Sequence, residues 1–170
     1  PKNDKEYFKL VDNIFGEGHS LINNPNWPKG KILENFIPYD ELTNKDILEI
    51  GCNDGVLLKP LSDLGANAVG IDPAKNIFKI ANKKKIPTIN SFFDLKTSNI
   101  VKNTYREGDI IFARNVIAHV KNIHELINAT SNLISENGIF AVEFHYAKKI
   151  LDDLQYDSIY HEHIFYYSIK

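Results

Sequence analysis

The sequence contains no methionine, one cysteine (Cys52) and one tryptophan (Trp27) in 170 residues. A single thiol excludes an internal disulfide and a multi-thiolate zinc site. No apolar run approaches the roughly 18 residues of a membrane-spanning helix, and no signal peptide opens the chain. Neither charge sign dominates: 20 Lys and Arg stand against 22 Asp and Glu, a net charge of −2. That balance excludes a basic nucleic-acid clamp and an acidic disordered tail as the main role. Internal repeats and low-complexity tracts are missing too. The expectation is a water-soluble, cytoplasmic protein with neither nucleic acid nor membrane as partner. Because methionine is missing even at position 1, the chain also reads as a piece trimmed from a longer one.

What is present is ordinary globular composition, with 43% hydrophobic residues, in a length that suits about one domain. Residues 1–45 are mixed. An amphipathic stretch at 7–15, a glycine- and proline-containing loop at 16–30 and a short helical stretch at 31–37 suggest a lid-like segment before the main unit at 46–170. Tyr7 and Trp27 are its aromatic candidates for covering a ligand.

From Asp46 the pattern becomes regular. Apolar runs at 46–50, 66–71, 86–89, 109–113 and 139–144 read as strands. Stretches 56–64, 74–85 and 123–134 read as helices, the first with Pro60 tolerable only near its first turn, the last stopped by Asn137-Gly138. Strands alternating with helices argue for βαβ units in an α/β fold with a parallel sheet. Such sheets bind ligands beyond the carboxyl ends of their strands.

Two strand ends carry chemistry. Glu49-Ile50-Gly51-Cys52-Asn53-Asp54-Gly55 has glycines that allow a sharp turn and close approach of a ligand. Its G-x-x-x-G spacing departs from the G-x-G-x-x-G dinucleotide fingerprint. Glu49 and Asp54 would make a poor cradle for a pyrophosphate and a better one for a cationic or amine-bearing ligand. Asp72, 21 residues after Gly51, stands near the position expected of an acid that accepts ribose hydroxyls. Glycine loop and ribose acid together point to an adenosine-containing cofactor. The acidic surroundings favour the amine end of S-adenosylmethionine over NAD. The structural alternative is a capping aspartate beside a glycine turn.

ILEIGCNDG followed by AVGIDPA resembles the first two motifs of class I S-adenosylmethionine-dependent methyltransferases. The resemblance implies a Rossmann-like three-layer αβα domain with a mostly parallel sheet. It places Glu49, Gly51, Cys52, Asn53 and Gly55 along the cofactor's amino-acid end, and Asp72 with Pro73 at the ribose. Phe92, Phe93 and Asp94 fall beside the adenine, with Phe93 either stacked on the base or packed in the core. Asn115 would touch the cofactor or cap a turn.

Farther on, ARNVIAHVKNIHELI and VEFHYAKKILDDLQYDSIYHEHIFYYS resemble the sugar C-methyltransferases that act on nucleotide-linked 4-keto-deoxysugars. Methylating carbon needs a carbanion equivalent, which a ketone supplies by enolisation if a base removes the adjacent proton. A histidine of near-neutral pKa suits that task. A tyrosine hydroxyl or a second imidazole can stabilise the enolate, and an activated methyl needs no metal. On the family analogy His163 is the base. Tyr160 and Glu162 would position the sugar or relay the proton, and His119 and His145 would reach the same cleft. The alternatives at the His-Glu-His run are a solvated helix face or, less well suited by the spacing, a zinc site. An O-methyltransferase acting on a small molecule and a non-catalytic cofactor-binding subunit stay open as functions.

The sequence also departs from that family. One cysteine cannot build the family's cysteine-rich zinc module, and nothing corresponds to the last two strands of the sheet. Strand five would then be an exposed apolar edge, and a homodimer paired across it is the expectation.

Overall fold

The computed structural model of the chain describes residues 41–168, so the aromatic candidates Tyr7 and Trp27 and the rest of the proposed lid at 1–40 lie outside it. Five strands form one sheet in the order β3-β2-β1-β4-β5. They are β1 (Asp46–Ile50), β2 (Asn67–Ile71), β3 (Thr88–Ile89), β4 (Gly108–Arg114) and β5 (Ile134–Glu143). Every pairing is parallel. The helices are α1 (Leu58–Asp63), α2 (Lys75–Lys83), α3 (Leu95–Thr104), α4 (Ile123–Leu133) and α5 (Ala147–Asp152).

Strand β1 sits at the centre and is buried on both faces, which explains why Ile47, Leu48 and Ile50 put apolar side chains on both. Alternation splits the core in two. Ile47, Ala68 and Ile110 pack with Leu58 and Leu61 of α1 on one face. Leu48, Ile50, Val69, Ile71 and Ile111 pack with Val101 of α3 and Leu133 of α4 on the other. The sheet with helices on both faces is the expected three-layer α/β architecture.

The structure adjusts the sequence reading in four places. Helix α1 starts at Leu58, so Pro60 is its third residue, where a missing N–H costs nothing. Helix α3 escaped the hydropathy reading because its inner face is Thr97, Ser98 and Val101, two of them polar. Its N-terminus is set by Asp94, whose carboxylate accepts the Thr97 N–H at 2.7 Å, a bond that holds the acid below its usual pKa. Asn137-Gly138 does not stop α4. That helix ends at Leu133, and Asn137-Gly138 lies in an outward excursion of β5. Gly108 faces Ile134 while Ile110 already faces Ile139. Finally, the Tyr160–His163 run is neither helix nor strand but a turn.

After α5 the chain doubles back. The N–H groups of Ile164 and Phe165 both donate to the Ala118 carbonyl, at 2.8 and 3.2 Å, and Ala147 donates to Tyr167 at 2.8 Å. These bonds carry the last described residues to the carboxyl ends of β4 and β5. Strand β5 pairs only with β4 and is one edge of the sheet among the described residues, β3 being the other.

Candidate active site

The loop after β1 is built by backbone. Gly51, Asn53 and Gly55 all have positive φ, at 69°, 49° and 77°. Gly51 could not be replaced without strain, since a Cβ there would lie 2.5 Å from Val116 Cγ2. The Gly51 and Cys52 N–H groups both donate to the Ile71 carbonyl at the end of β2. Asp72 ties the two strand ends together. Its Oδ2 accepts the Asn53 N–H at 3.0 Å and its Oδ1 the Ala74 N–H at 2.8 Å. Each oxygen keeps a second acceptor direction. Pro73 beside it is exposed.

Other loop residues are disposed differently from the sequence expectation. Glu49 does not face a ligand across the surface but lies fully buried beneath the loop, paired with Arg114. Asp54 is occupied by Lys84 at 2.6 Å. The Cys52 side chain points into the core, in a space that exists because β2 carries Gly70. A Cβ at Gly70 would stand 2.4 Å from Cys52 Sγ. Burial pushes the Cys52 thiol up to about 12, so only the backbone of this residue is left to meet a ligand. Phe93 is half-buried against the core, while its neighbour Phe92 is 77% exposed.

The second cluster is built by side chains. His119 lies on a single 3-10 turn (Ile117–His119) after β4, His145 follows β5, and His163 arrives on the returning segment. The His163 ring stands 5.0 Å from His119, 5.4 Å from His145, 4.1 Å from Tyr160 and 5.6 Å from Tyr166. Tyr160 Oη and His163 Nε2 are 2.9 Å apart. His119 Nδ1 meets the Glu162 carbonyl at 2.8 Å. His163 is buried while His119, His145, Tyr160 and Glu162 are exposed, so the cluster has one covered imidazole behind an open rim. Burial lowers the His163 pKa, and the neighbouring His119 and His145 push the same way. The ring is therefore neutral at neutral pH, the state a base needs.

Asn115 lies between the two clusters. It has φ 53°, and its side-chain amide donates to Glu143 Oε1 at 3.1 Å. Two residues had no role assigned from the sequence, Arg114 being only one of the strand-end positions it singled out. Arg114 could have been found from alternation, since it shares the face of Phe112 and therefore of Glu49. Tyr166 left no signal: its hydroxyl accepts the Tyr160 N–H at 3.1 Å, a contact that only the turn creates. Among the described residues no group of three or more His, Cys, Asp or Glu is arranged to hold a metal ion, and no helix is long and apolar enough to cross a membrane.

A glycine turn against a ribose-type acid, at the carboxyl ends of a 3-2-1-4-5 parallel sheet, is the arrangement of the class I S-adenosylmethionine-dependent methyltransferases. The family comparison agrees: a model described as a methyltransferase domain matches residues 28–170, and the chain belongs to that family. Its cofactor is S-adenosylmethionine.

Among relatives, the chain is 33% identical over 129 residues to the C-methyltransferase NovU of Streptomyces niveus, covering 75% of this chain and 31% of that protein. It is also 33% identical over 109 residues to a ubiquinone biosynthesis O-methyltransferase of Bartonella tribocorum, covering 63% and 42%. The chain thus spans well under half the length of these curated relatives. Among solved structures, an S-adenosylmethionine-dependent methyltransferase from Archaeoglobus fulgidus superposes with a TM-score of 0.61 at 15% identity, over 94% of this chain and 68% of that one. That likeness concerns the fold.

Proposed function

We propose that this chain transfers a methyl group to the carbon beside the ketone of a nucleotide-linked 4-keto-deoxysugar, through an enolate. The observation that carries the reading is the covered His163 with Tyr160 at 2.9 Å, set among His119 and His145 at the same carboxyl edge of the sheet as the glycine loop. His163 takes the proton next to the ketone at Nε2, through the Tyr160 hydroxyl that meets that nitrogen, because Nδ1 is sealed from solvent. The C–H electron pair moves into the enolate, whose charge the surrounding hydroxyl and imidazole donors stabilise. The enolate carbon would then take the methyl group as its bond to the cofactor's sulfur breaks, that electron pair leaving on sulfur. Tyr160 and Glu162 hold or relay, and His119 and His145 line the rim.

The residues present fit the cofactor. The Asp72 carboxylate is oriented by two backbone donors at a strand end, with room to accept a diol, and Glu49 Oε2 is a buried acceptor without a partner. In this reading Glu49, Gly51, Cys52, Asn53 and Gly55 hold the amino-acid end, Asp72 and Pro73 the ribose, Phe93 the adenine and Asn115 the junction with substrate. When bound, S-adenosylmethionine supplies a methyl group activated by a positively charged sulfur. A second copy paired along the open β5 edge is part of the proposal. A doubled mass in light scattering supports that part and a single-chain mass overturns it.

The test supplies a nucleoside-diphosphate 4-keto-deoxysugar with isotope-labelled cofactor. Expected are a new carbon-bound methyl group by NMR and, without cofactor, exchange of the proton beside the ketone with deuterated solvent. A methyl group found on oxygen with no such exchange supports instead a small-molecule O-methyltransferase, the reading favoured by the second relative. Cofactor binding with no turnover on any keto sugar would leave a binding subunit.

A further inference from the structure

The carboxyl ends of β1, β4 and β5 bring three charged side chains to one face of the sheet. Glu49 lies opposite Phe112, and Arg114, two residues on, lies opposite Glu143. Strand alternation therefore gives Glu49, Arg114 and Glu143 a shared face. Arg114 directs both Nε and Nη2 at a single oxygen, Glu49 Oε1, at 2.8 and 2.7 Å. Glu49 Oε2 is sealed from solvent and has no hydrogen-bond partner among the described residues. Oε1 thus takes both charge-assisted bonds and Oε2 takes none. Burial raises the Glu49 pKa to about 7 against the pull of Arg114, and the carboxylates of Glu143 and Asp54 push in the same direction. Cys52, the remaining titratable neighbour in the loop, stays a thiol.

We infer that Glu49 is a proton-linked seat for the positive end of the cofactor, with Arg114 as its positioning residue: Oε2 carries a proton in part of the free protein and releases it when a cationic group docks over the Gly51–Gly55 loop. The O–H bond breaks, its electron pair stays on the carboxylate and the proton goes to the buffer. The inference rests on assigning that loop to S-adenosylmethionine. A nearby positive charge favours the ionised acid, so binding and deprotonation assist each other. Affinity should rise several-fold from pH 6 to pH 7, the range in which the ligand's own amine stays charged, if docking drives the acid fully to its ionised form.

The test is calorimetric titration of the full 170-residue chain in two buffers of different ionisation heat, between pH 6 and 9. The ligands are S-adenosylmethionine (sulfonium and ammonium), S-adenosylhomocysteine (ammonium only) and methylthioadenosine (neither). Expected is proton release below pH 7 with the first two and none with the third; at pH 9 the acid is already ionised and the first two instead take up a proton, because their free α-amino group is largely neutral there. Glu49→Gln should bind without release. Arg114→Met should move the pH midpoint upward, whereas Arg114→Lys should keep release while weakening binding. Equal heats in both buffers for the unaltered chain, or undiminished release in Glu49→Gln, overturns the inference.

Should these buried variants not fold, NMR of the Glu49 carboxyl carbon in the unaltered chain decides. A midpoint near neutrality that falls by a unit or more with S-adenosylhomocysteine supports the seat, and a flat titration overturns it. No methyl acceptor is added, so failed turnover on keto sugars with proton release intact sinks only the substrate proposal. Failure of all three ligands to bind sinks the seat and the loop assignment together.

Discussion

The two halves of the site are held by different means. Beyond β1 and β2, the glycine loop is fixed by main-chain hydrogen bonds to the Ile71 carbonyl and the Asp72 carboxylate, and its turns need positive φ at three residues. Beyond β4 and β5, the histidine cluster is fixed by side chains on three separate segments, with an exposed rim around one covered ring. A loop held by backbone tolerates side-chain change except where a Cβ cannot fit. A cluster held by side chains depends on each member and on the segment that delivers it. The first suits a group common to a whole superfamily, and the second suits a substrate that varies.

The sharpest break of that comparison is His163→Asn. Solvent exchange of the proton beside the ketone should fall about 10²- to 10⁴-fold, the usual worth of a general base, while binding of S-adenosylhomocysteine stays unchanged. Loss of cofactor binding in this variant would mean the halves are not separable.

On the other side, Gly51→Ala forces a side chain into a left-handed turn and against Val116. It should destabilise the fold by about 1–3 kcal/mol and weaken the cofactor, which thermal melts with and without ligand would show. Asp72→Asn should cost roughly 1.5–3 kcal/mol of cofactor affinity by calorimetry, with turnover at saturating cofactor little changed. Tyr166→Phe removes one hydroxyl from the turn bearing Tyr160. It should lower turnover several-fold and stability by about 1 kcal/mol, with cofactor affinity untouched.

The smallest effect is in the pH profile. A His163 pKa below the ordinary 6.5 means the neutral base persists to lower pH. The acid limb of the rate should therefore have its midpoint under that value, and a midpoint above it would argue that a carboxylate, not burial, controls the ring.

Much of the first half was legible in the chain. The run from Asp46 to Gly55 is local: three apolar residues, Ile47, Leu48 and Ile50, make a central strand, and the glycines that must turn are adjacent to it. Asp72 was legible because one strand–helix unit has a nearly fixed length, which brings the next strand end beside the first. Helix α3 was not, because small polar residues fill its inner face and break the apolar period. The Asn137-Gly138 signal misled, because a turn-forming pair can sit in an excursion of a strand as well as after a helix.

For the second half, the Tyr160–His163 run could be singled out by its resemblance, but its shape could not. His119, His145 and His163 are 26 and 18 residues apart and carry no common period. The sequence by itself determined the strand order's raw material, the glycine turn and the place of Asp72 at the next strand end, because strand burial and turn chemistry are local properties. Only the tertiary structure decided that Glu49 is buried on Arg114, that Cys52 belongs to the core and that His163 is the covered one of the five described histidines. Those outcomes depend on which strand ends become neighbours and on a segment returning from α5 to dock on the Ala118 carbonyl. Long-range packing sets both, and no short stretch of residues encodes it.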